Sequence, residues 1–312
     1  MKKTFVRHAF AVALSVLAAK GAAAASWSRA SFSASDGTEI HYLYRAGEGS
    51  PILLVHGLGV GADGFALWRD FFPGRPMMIL ERRGYGSALG GEDAAGVGAT
   101  NRDDVSRAVD EARRVSVADR VGLLGYSLGA LLLPPPDPAR VRWLALACPG
   151  VPGMARDMPA AERSLEAQTR YWFGVARAGG PAALGAWLVQ AISPAAVELS
   201  AKLASLGLTA ASEWLAARAY DTAFLNLYTR ESLWAYAQDA GFDPQPAVPV
   251  FIGYAENDQV VPPAAVRRRA RQLSAGAEPT TVVHWPGDHL DALADPALIR
   301  SRLEKFDAEV AP

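Results

Sequence analysis

A single cysteine, Cys148, among 312 residues excludes an internal disulfide framework and any metal site built from several thiolates. Histidine is scarce as well: five in all, too few beside one cysteine for a zinc cage. Neither sign of charge dominates, since 31 basic and 32 acidic residues leave a formal charge of −1 and no electrostatic footprint for nucleic acid. No glycine-rich loop with a following lysine is there to cradle phosphates. Glycine (29) and proline (21) are plentiful but keep no fixed period, which excludes collagen-like and solenoid folds. What is present is a globular composition, 50% hydrophobic and 20% charged. A chain of this length buries about three quarters of its unfolded surface in one large domain or two small ones.

Residues 1–25 have the layout of a secretory signal peptide. Lys2, Lys3 and Arg7 precede an apolar run at 9–19, and the small residues at 21–26 offer two A-x-A cleavage options. The run is shorter than the roughly 20 residues that span a bilayer. No cysteine for a lipid anchor and no twin-arginine pair accompany it. Cleavage after Ala25 would remove four basic side chains (Lys2, Lys3, Arg7, Lys20) and no acidic one, taking the charge from −1 to −5. The mature chain is expected in the periplasm or the medium, mildly acidic.

Beyond the leader, Asp36-Gly37 separates two alternating segments near 31–35 and 40–44, a hairpin signal. Continuous apolar runs at 51–56 (PILLVH), 77–82 (MMILER), 121–126 (VGLLGY), 141–148 (VRWLALAC) and 249–254 (PVFIGY) read as buried strands, and 280–285 (TTVVHW) reads as a further strand. Helical patterns at 62–72, 101–115, 263–273 and 296–308 alternate with them. The expected fold class is α/β, a mostly parallel eight-stranded sheet with helices on both faces. Between the sixth and seventh strands nearly a hundred residues carry helical patterns only, an all-helical cap over the carboxyl edge where open α/β sheets bind ligands. The expected organisation is a signal peptide at 1–25, a core domain at 26–150 and 246–312, and the cap at 151–245. Tyr171, Trp172, Phe173, Trp187, Trp214 and Trp234 recur in the cap and are expected partly to line a dry pocket.

Gly125-Tyr126-Ser127-Leu128-Gly129 is a G-x-S-x-G pentapeptide placed after one strand and opening a helix. A strand-to-helix elbow strains the serine backbone and leaves Oγ exposed at the sheet edge, the arrangement a nucleophile needs. With His56-Gly57-Leu58-Gly59 after an earlier strand, residues 27–312 resemble the α/β-hydrolase superfamily. The turn Glu81-Arg82-Arg83-Gly84-Tyr85-Gly86 is similar to that family's D-x-R-G-x-G turn, with glutamate for aspartate, and is read as a fold marker. The resemblance implies an oxyanion hole made by the backbone N–H groups of Leu58 and Leu128, with His56 structural. It also implies a triad in the order Ser, Asp, His. Asp258 sits in a turn, 255–262, similar to the family's G-x-x-D-x-x-V-P, with Glu256 as the fallback acid. Of the two downstream histidines, His284 falls inside a strand pattern and His289 in the loop that delivers the base in such folds. Asp288 and Asp291 beside it are expected to be solvated.

The function this implies is an exported serine hydrolase acting on an ester with an apolar acyl part, with no cofactor or metal. Its partner is a small-molecule substrate, without nucleic acid or a stable membrane span. Carbon–carbon bond hydrolases and perhydrolases share the same triad, and a non-catalytic member would bind a hydrophobic ligand under the cap. Cys148 lies in a buried strand pattern, the setting of an inert small hydrophobe. One departure from the family stands out: Pro134-Pro135-Pro136 follow the elbow closely and cut its helix to about one turn, where relatives carry a long one.

Overall fold

The computed structural model describes residues 26–86, 96–238 and 246–310. The leader expected at 1–25 and the last part of the expected cap, 239–245, lie outside them. Eight strands form one sheet: β1 (Trp27–Ser33), β2 (Glu39–Arg45), β3 (Ile52–Val55), β4 (Met77–Leu80), β5 (Val121–Tyr126), β6 (Val141–Ala147), β7 (Val250–Ala255) and β8 (Thr280–Trp285). Their order is β1-β2-β4-β3-β5-β6-β7-β8. The β1–β2 hairpin and the β2–β4 pair are antiparallel; every later neighbour is parallel. Strands β3 to β7 are buried at every position, because helices cover both faces of a parallel sheet. That is why they read as unbroken apolar runs.

Helix α1 (Gly96–Ser116) starts five residues before the expected segment, and α2 (Leu128–Leu131) is a single turn, as the prolines require. The segment expected to be an α-helix from 62 is instead a 3-10 helix, Ala62–Asp70, broken at Phe65. Phe65, Trp68 and Phe71 are all fully buried at a spacing of three, which a 3-10 turn aligns on one side and an α-helix does not. The cap, between β6 and β7, comprises a short 3-10 turn at Met154–Asp157 and helices α3 (Ala160–Ala178), α4 (Pro181–Ala191), α5 (Ser193–Ser205), α6 (Thr209–Ala216) and α7 (Thr222–Ala237). Helices α8 (Pro263–Ser274), α9 (Asp291–Ala294) and α10 (Ala297–Glu309) complete the chain.

Among the described residues no single helix is long and apolar enough to cross a membrane. The bent pair Pro181–Ala191 and Ser193–Ser205 passes that test only by length and composition taken together.

Two apolar layers sandwich the sheet. Leu54, Ile79, Leu124, Trp143 and Phe251 face the cap and the C-terminal helices, whereas Leu53, Met78, Leu123, Leu144 and Ile252 face α1 and α8. From β3 the chain goes to β4 on one side and then to β5 on the other, so the loops leaving β3 and β5 diverge. Such a switch point is where an open α/β sheet builds its ligand crevice. His56 and Ser127 stand at the carboxyl ends of those two strands.

Candidate active site

Ser127 holds φ 53 and ψ −124 at the junction of β5 and α2, a left-handed backbone that L-residues avoid at a cost of about 1–3 kcal/mol. Its N–H donates to Ala147 O (3.0 Å) and its carbonyl accepts from Gly150 N (2.9 Å), so β6 and the segment after it hold the strained turn in place. Gly129 is required by close approach. A Cβ there would lie 2.2 Å from Val55 O, against the end of β3. A Cβ on Gly57 would likewise meet Ser127 Cβ at 2.9 Å, so only glycine lets the loop after β3 pass over the serine.

Ser127 Oγ lies 2.8 Å from His289 Nε2, and His289 Nδ1 lies 2.7 Å from Asp258 Oδ2. All three are buried. The network assigns the tautomer: Nδ1–H donates to Asp258, leaving Nε2 to accept the serine proton. The other Asp258 oxygen accepts from the Val260 and Val261 N–H groups (2.8 and 2.7 Å), which fixes the carboxylate plane. Tyr126 O–H donates to the His289 carbonyl at 2.6 Å and pins the loop from below.

Asp288 and Asp291, expected to be solvated, instead build that loop. Asp288 accepts from the His289 and Gln259 N–H groups (2.6 and 3.2 Å) and pairs with Lys202 at 2.5 Å, while Asp291 accepts from Asp288 N–H (2.7 Å). A histidine delivered by an irregular loop needs its backbone donors satisfied locally, and nearby carboxylates do that. Glu256 and His284 pair with each other at 2.6 Å on the outer side of β7 and β8, about half exposed.

Leu58 and Leu128 both face the space above Ser127. Among the described residues neither backbone N–H donates to a protein acceptor. Two unpaired donors beside a buried serine are what an oxyanion hole consists of. Their loop is braced by residues that the sequence did not single out for this role. Arg82 Nε donates to His56 O (3.0 Å) and Nη2 to Gly57 O (2.8 Å), and Tyr85 O–H accepts from Gly59 N–H (3.0 Å). Tyr85 in turn donates to Glu231 Oε2 (2.8 Å), and Glu231, on cap helix α7, pairs with Arg82. Arg82 and Glu231 side chains are completely buried. Burial, and then the Glu231 charge, push the Tyr85 phenol well up, so it stays protonated and able to donate. The fold-marker turn 81–86 is thus a brace for the loop over Ser127.

His56 is structural. Its Nδ1–H donates to Gly57 O (2.9 Å) and its Nε2 accepts from Arg82 N–H (3.2 Å). Burial first, and the Arg82 charge second, hold its pKa well below the ordinary value. The folded state keeps His56 neutral, whereas the unfolded chain binds a proton below about pH 6.5. Stability is therefore complete above that pH and falls as pH drops through it, by about 1.4 kcal/mol per unit for this one group. Denaturant titrations between pH 8 and 5 should show this slope, and His56→Asn should remove one proton from it; an unchanged slope would refute the assignment.

Cys148, Asp258 and His289 present donor atoms within 4.8 Å of one another, the one such group of three among the described residues. Both His289 nitrogens are already engaged by Ser127 and Asp258. Burial pushes the Cys148 thiol well up, which favours its neutral form over the thiolate that a metal binds. The donor set therefore suits a packed thiol under the relay better than an ion.

The space directly above Ser127 is about 50 Å³, lined by Leu58, Leu131, Met154, Tyr236 and Val261. The six cap aromatics expected to contribute to this wall do not line it. Tyr171 and Trp172 are more than half exposed. Phe173 packs on Trp187, Trp214 stacks on Tyr85, and Trp234 lies under Arg102. These last four hold cap helices to each other and to the core. A helix's periodicity marks its apolar side, not the partner that side meets.

An eight-stranded, mostly parallel sheet with a strained serine at a strand-to-helix elbow, hydrogen-bonded through histidine to aspartate, places the chain in a class of α/β folds with a helical insertion after the sixth strand. The profile of the alpha/beta hydrolase family matches residues 52–301, and the chain belongs to that family. No curated protein matches the sequence. Solved structures do. An esterase from Thermogutta terrifontis is 17% identical, with a TM-score of 0.62 over 91% of this chain and 100% of that one. An esterase from Exiguobacterium antarcticum is 16% identical (TM-score 0.61; 88% of this chain, 98% of that one). A bromoperoxidase from Bacillus anthracis is also 16% identical (TM-score 0.61; 89% and 99%). At these identities the likeness is one of fold.

Proposed function

We propose that this chain is an exported serine hydrolase that cleaves a carboxylic ester with an apolar acyl group. The observation that carries the reading is the continuous relay from Ser127 through His289 to Asp258, at 2.8 and 2.7 Å, beneath two unpaired amides. The esterases among the fold relatives are consistent with it.

Ser127 Oγ attacks the ester carbonyl carbon while His289 Nε2 takes its proton. Asp258 holds the tautomer and stabilises the imidazolium that forms. The carbonyl oxygen becomes an oxyanion and accepts from the Leu58 and Leu128 N–H groups, which are in place beforehand and need no reorganisation. Collapse breaks the bond to the leaving oxygen, and His289 returns its proton to release the alcohol and leave an acyl-Ser127 ester. Water, deprotonated by His289, then attacks the acyl carbon; the acid departs and Ser127 regains its proton.

The test is covalent labelling of protein recovered from the periplasm or the medium, where removal of residues 1–25 would leave Ser26 first. A fluorophosphonate should add once per chain, and peptide mapping should place the adduct on Ser127. An adduct on another residue would overturn the assignment.

A further inference from the structure

A pocket of about 50 Å³ over Ser127 is smaller than the roughly 150 Å³ that encloses one benzene, and an apolar acyl group of any length needs more room. Beside it is a second cavity of about 360 Å³, within the range of small-molecule sites, about 300–1,000 Å³. Leu133, Pro134, Leu144 and Leu146 of β6 and Leu273 of α8 line it, and Arg102 and Arg269 are the charged residues on its wall. The three prolines that end the helix also line it: α2 stops at Leu131 after one turn, and Pro134, Pro135 and Pro136 border the cavity.

The two spaces share two residues, Leu131 and Gly150. The contact between them is thin: a Cβ on Gly150 would stand 2.9 Å from Leu131 Cδ1, so the leucine methyl rests directly on the Gly150 backbone. Leu131 is the last residue of α2, four positions after the nucleophile, and its carbonyl accepts from Arg102 Nη2 at 3.2 Å. Its backbone is thus tethered, while its side chain can change between staggered rotamers.

We propose that this cavity receives the apolar tail of the substrate's acyl group, with the Leu131 side chain as the partition that opens to admit it. The proposal rests on Ser127 being the acyl-accepting nucleophile, and it narrows the substrate class to esters of extended, unbranched apolar acids. A chain attached to Ser127 would pass between Leu131 and Gly150 and lie against the β6 leucines. The proline run that shortens the helix would then be a specificity device.

The experiment compares kcat/KM on p-nitrophenyl decanoate and acetate in the parent, Leu131→Ala and Leu133→Phe. Each methylene buried is worth about fourfold. Leu131→Ala, which merges the two spaces, should raise the decanoate-to-acetate ratio about tenfold. Leu133→Phe, which fills the cavity without touching the Ser127 pocket, should lower it several-fold. Labelling of Leu131→Ala by a short-chain fluorophosphonate verifies that its elbow is intact, so this variant decides the matter even if Leu133→Phe fails to fold. Ratios within twofold of the parent, with Ser127 still labelled, would overturn the cavity assignment alone. A parent that the short probe leaves unlabelled would overturn the hydrolase reading and the acyl site with it.

Discussion

Asp258→Asn is expected to lower kcat by about four orders of magnitude while leaving the fold intact, because an amide cannot hold the tautomer that frees His289 Nε2 to accept a proton. The geometry makes this more than a rule about triads. Asp258 Oδ2 takes Nδ1–H at 2.7 Å, and Oδ1 is committed to two backbone N–H groups. An asparagine must keep its oxygen on those two donors, so it turns its NH₂ toward Nδ1 and drives the proton to Nε2, facing Ser127. The competing carboxylate, Glu256, pairs with His284 on the far side of the strands, half exposed. Glu256→Gln should therefore stay within about tenfold of the parent. Initial rates for both variants on one ester decide it, and the opposite ranking would move the triad acid to Glu256.

The relay was legible in the sequence because each of its parts is a local device. The G-x-S-x-G elbow, the turn that carries Asp258 and the loop at Pro286-Gly287-Asp288 are short segments whose backbone demands dictate their residue types. Strands β3 to β7 were legible for a similar reason, since burial on both faces writes an unbroken apolar run, while β1 and β2 announced themselves by the Asp36-Gly37 turn between them. What the sequence withheld depends on long-range meeting. Glu231 is one acidic residue on a cap helix, with nothing around it to say that it reaches a buried arginine 149 positions away. The cap aromatics advertised an apolar side without naming its partner, and they met one another, Tyr85 or Arg102 instead of the pocket. The shortened helix was visible in three prolines. The cavity it leaves was not, because a void is defined by β6 and α8 as much as by the segment that vacates it.

Glu231→Ala is expected to destabilise the protein by about 3–5 kcal/mol, because it leaves the Arg82 guanidinium buried without its counter-charge. For a chain of this size that is a fall in melting temperature on the order of 10 °C. Arg82 and Glu231 are each fully buried, so water cannot take over the missing partner's role. Turnover should suffer as well, through the loop that carries the Leu58 amide. Arg82 holds the His56 and Gly57 carbonyls, and Tyr85 holds the Gly59 N–H; Glu231 orients both side chains from the cap. Removing it unlatches α7 from the turn that braces the loop over Ser127. A double replacement, Arg82→Met with Glu231→Leu, separates the two roles. It removes both charges together and should recover part of the lost stability. It should not recover kcat, since Arg82→Met takes the donors away from the His56 and Gly57 carbonyls and leaves the Leu58 amide no longer aimed. Because the space above Ser127 is lined by other residues, KM should move less than kcat in the double variant. Thermal melts and steady-state rates on the same three proteins test the latch. A Glu231→Ala variant within 1 kcal/mol of the parent, or a double variant with kcat restored, would show that the buried pair does not position the oxyanion loop.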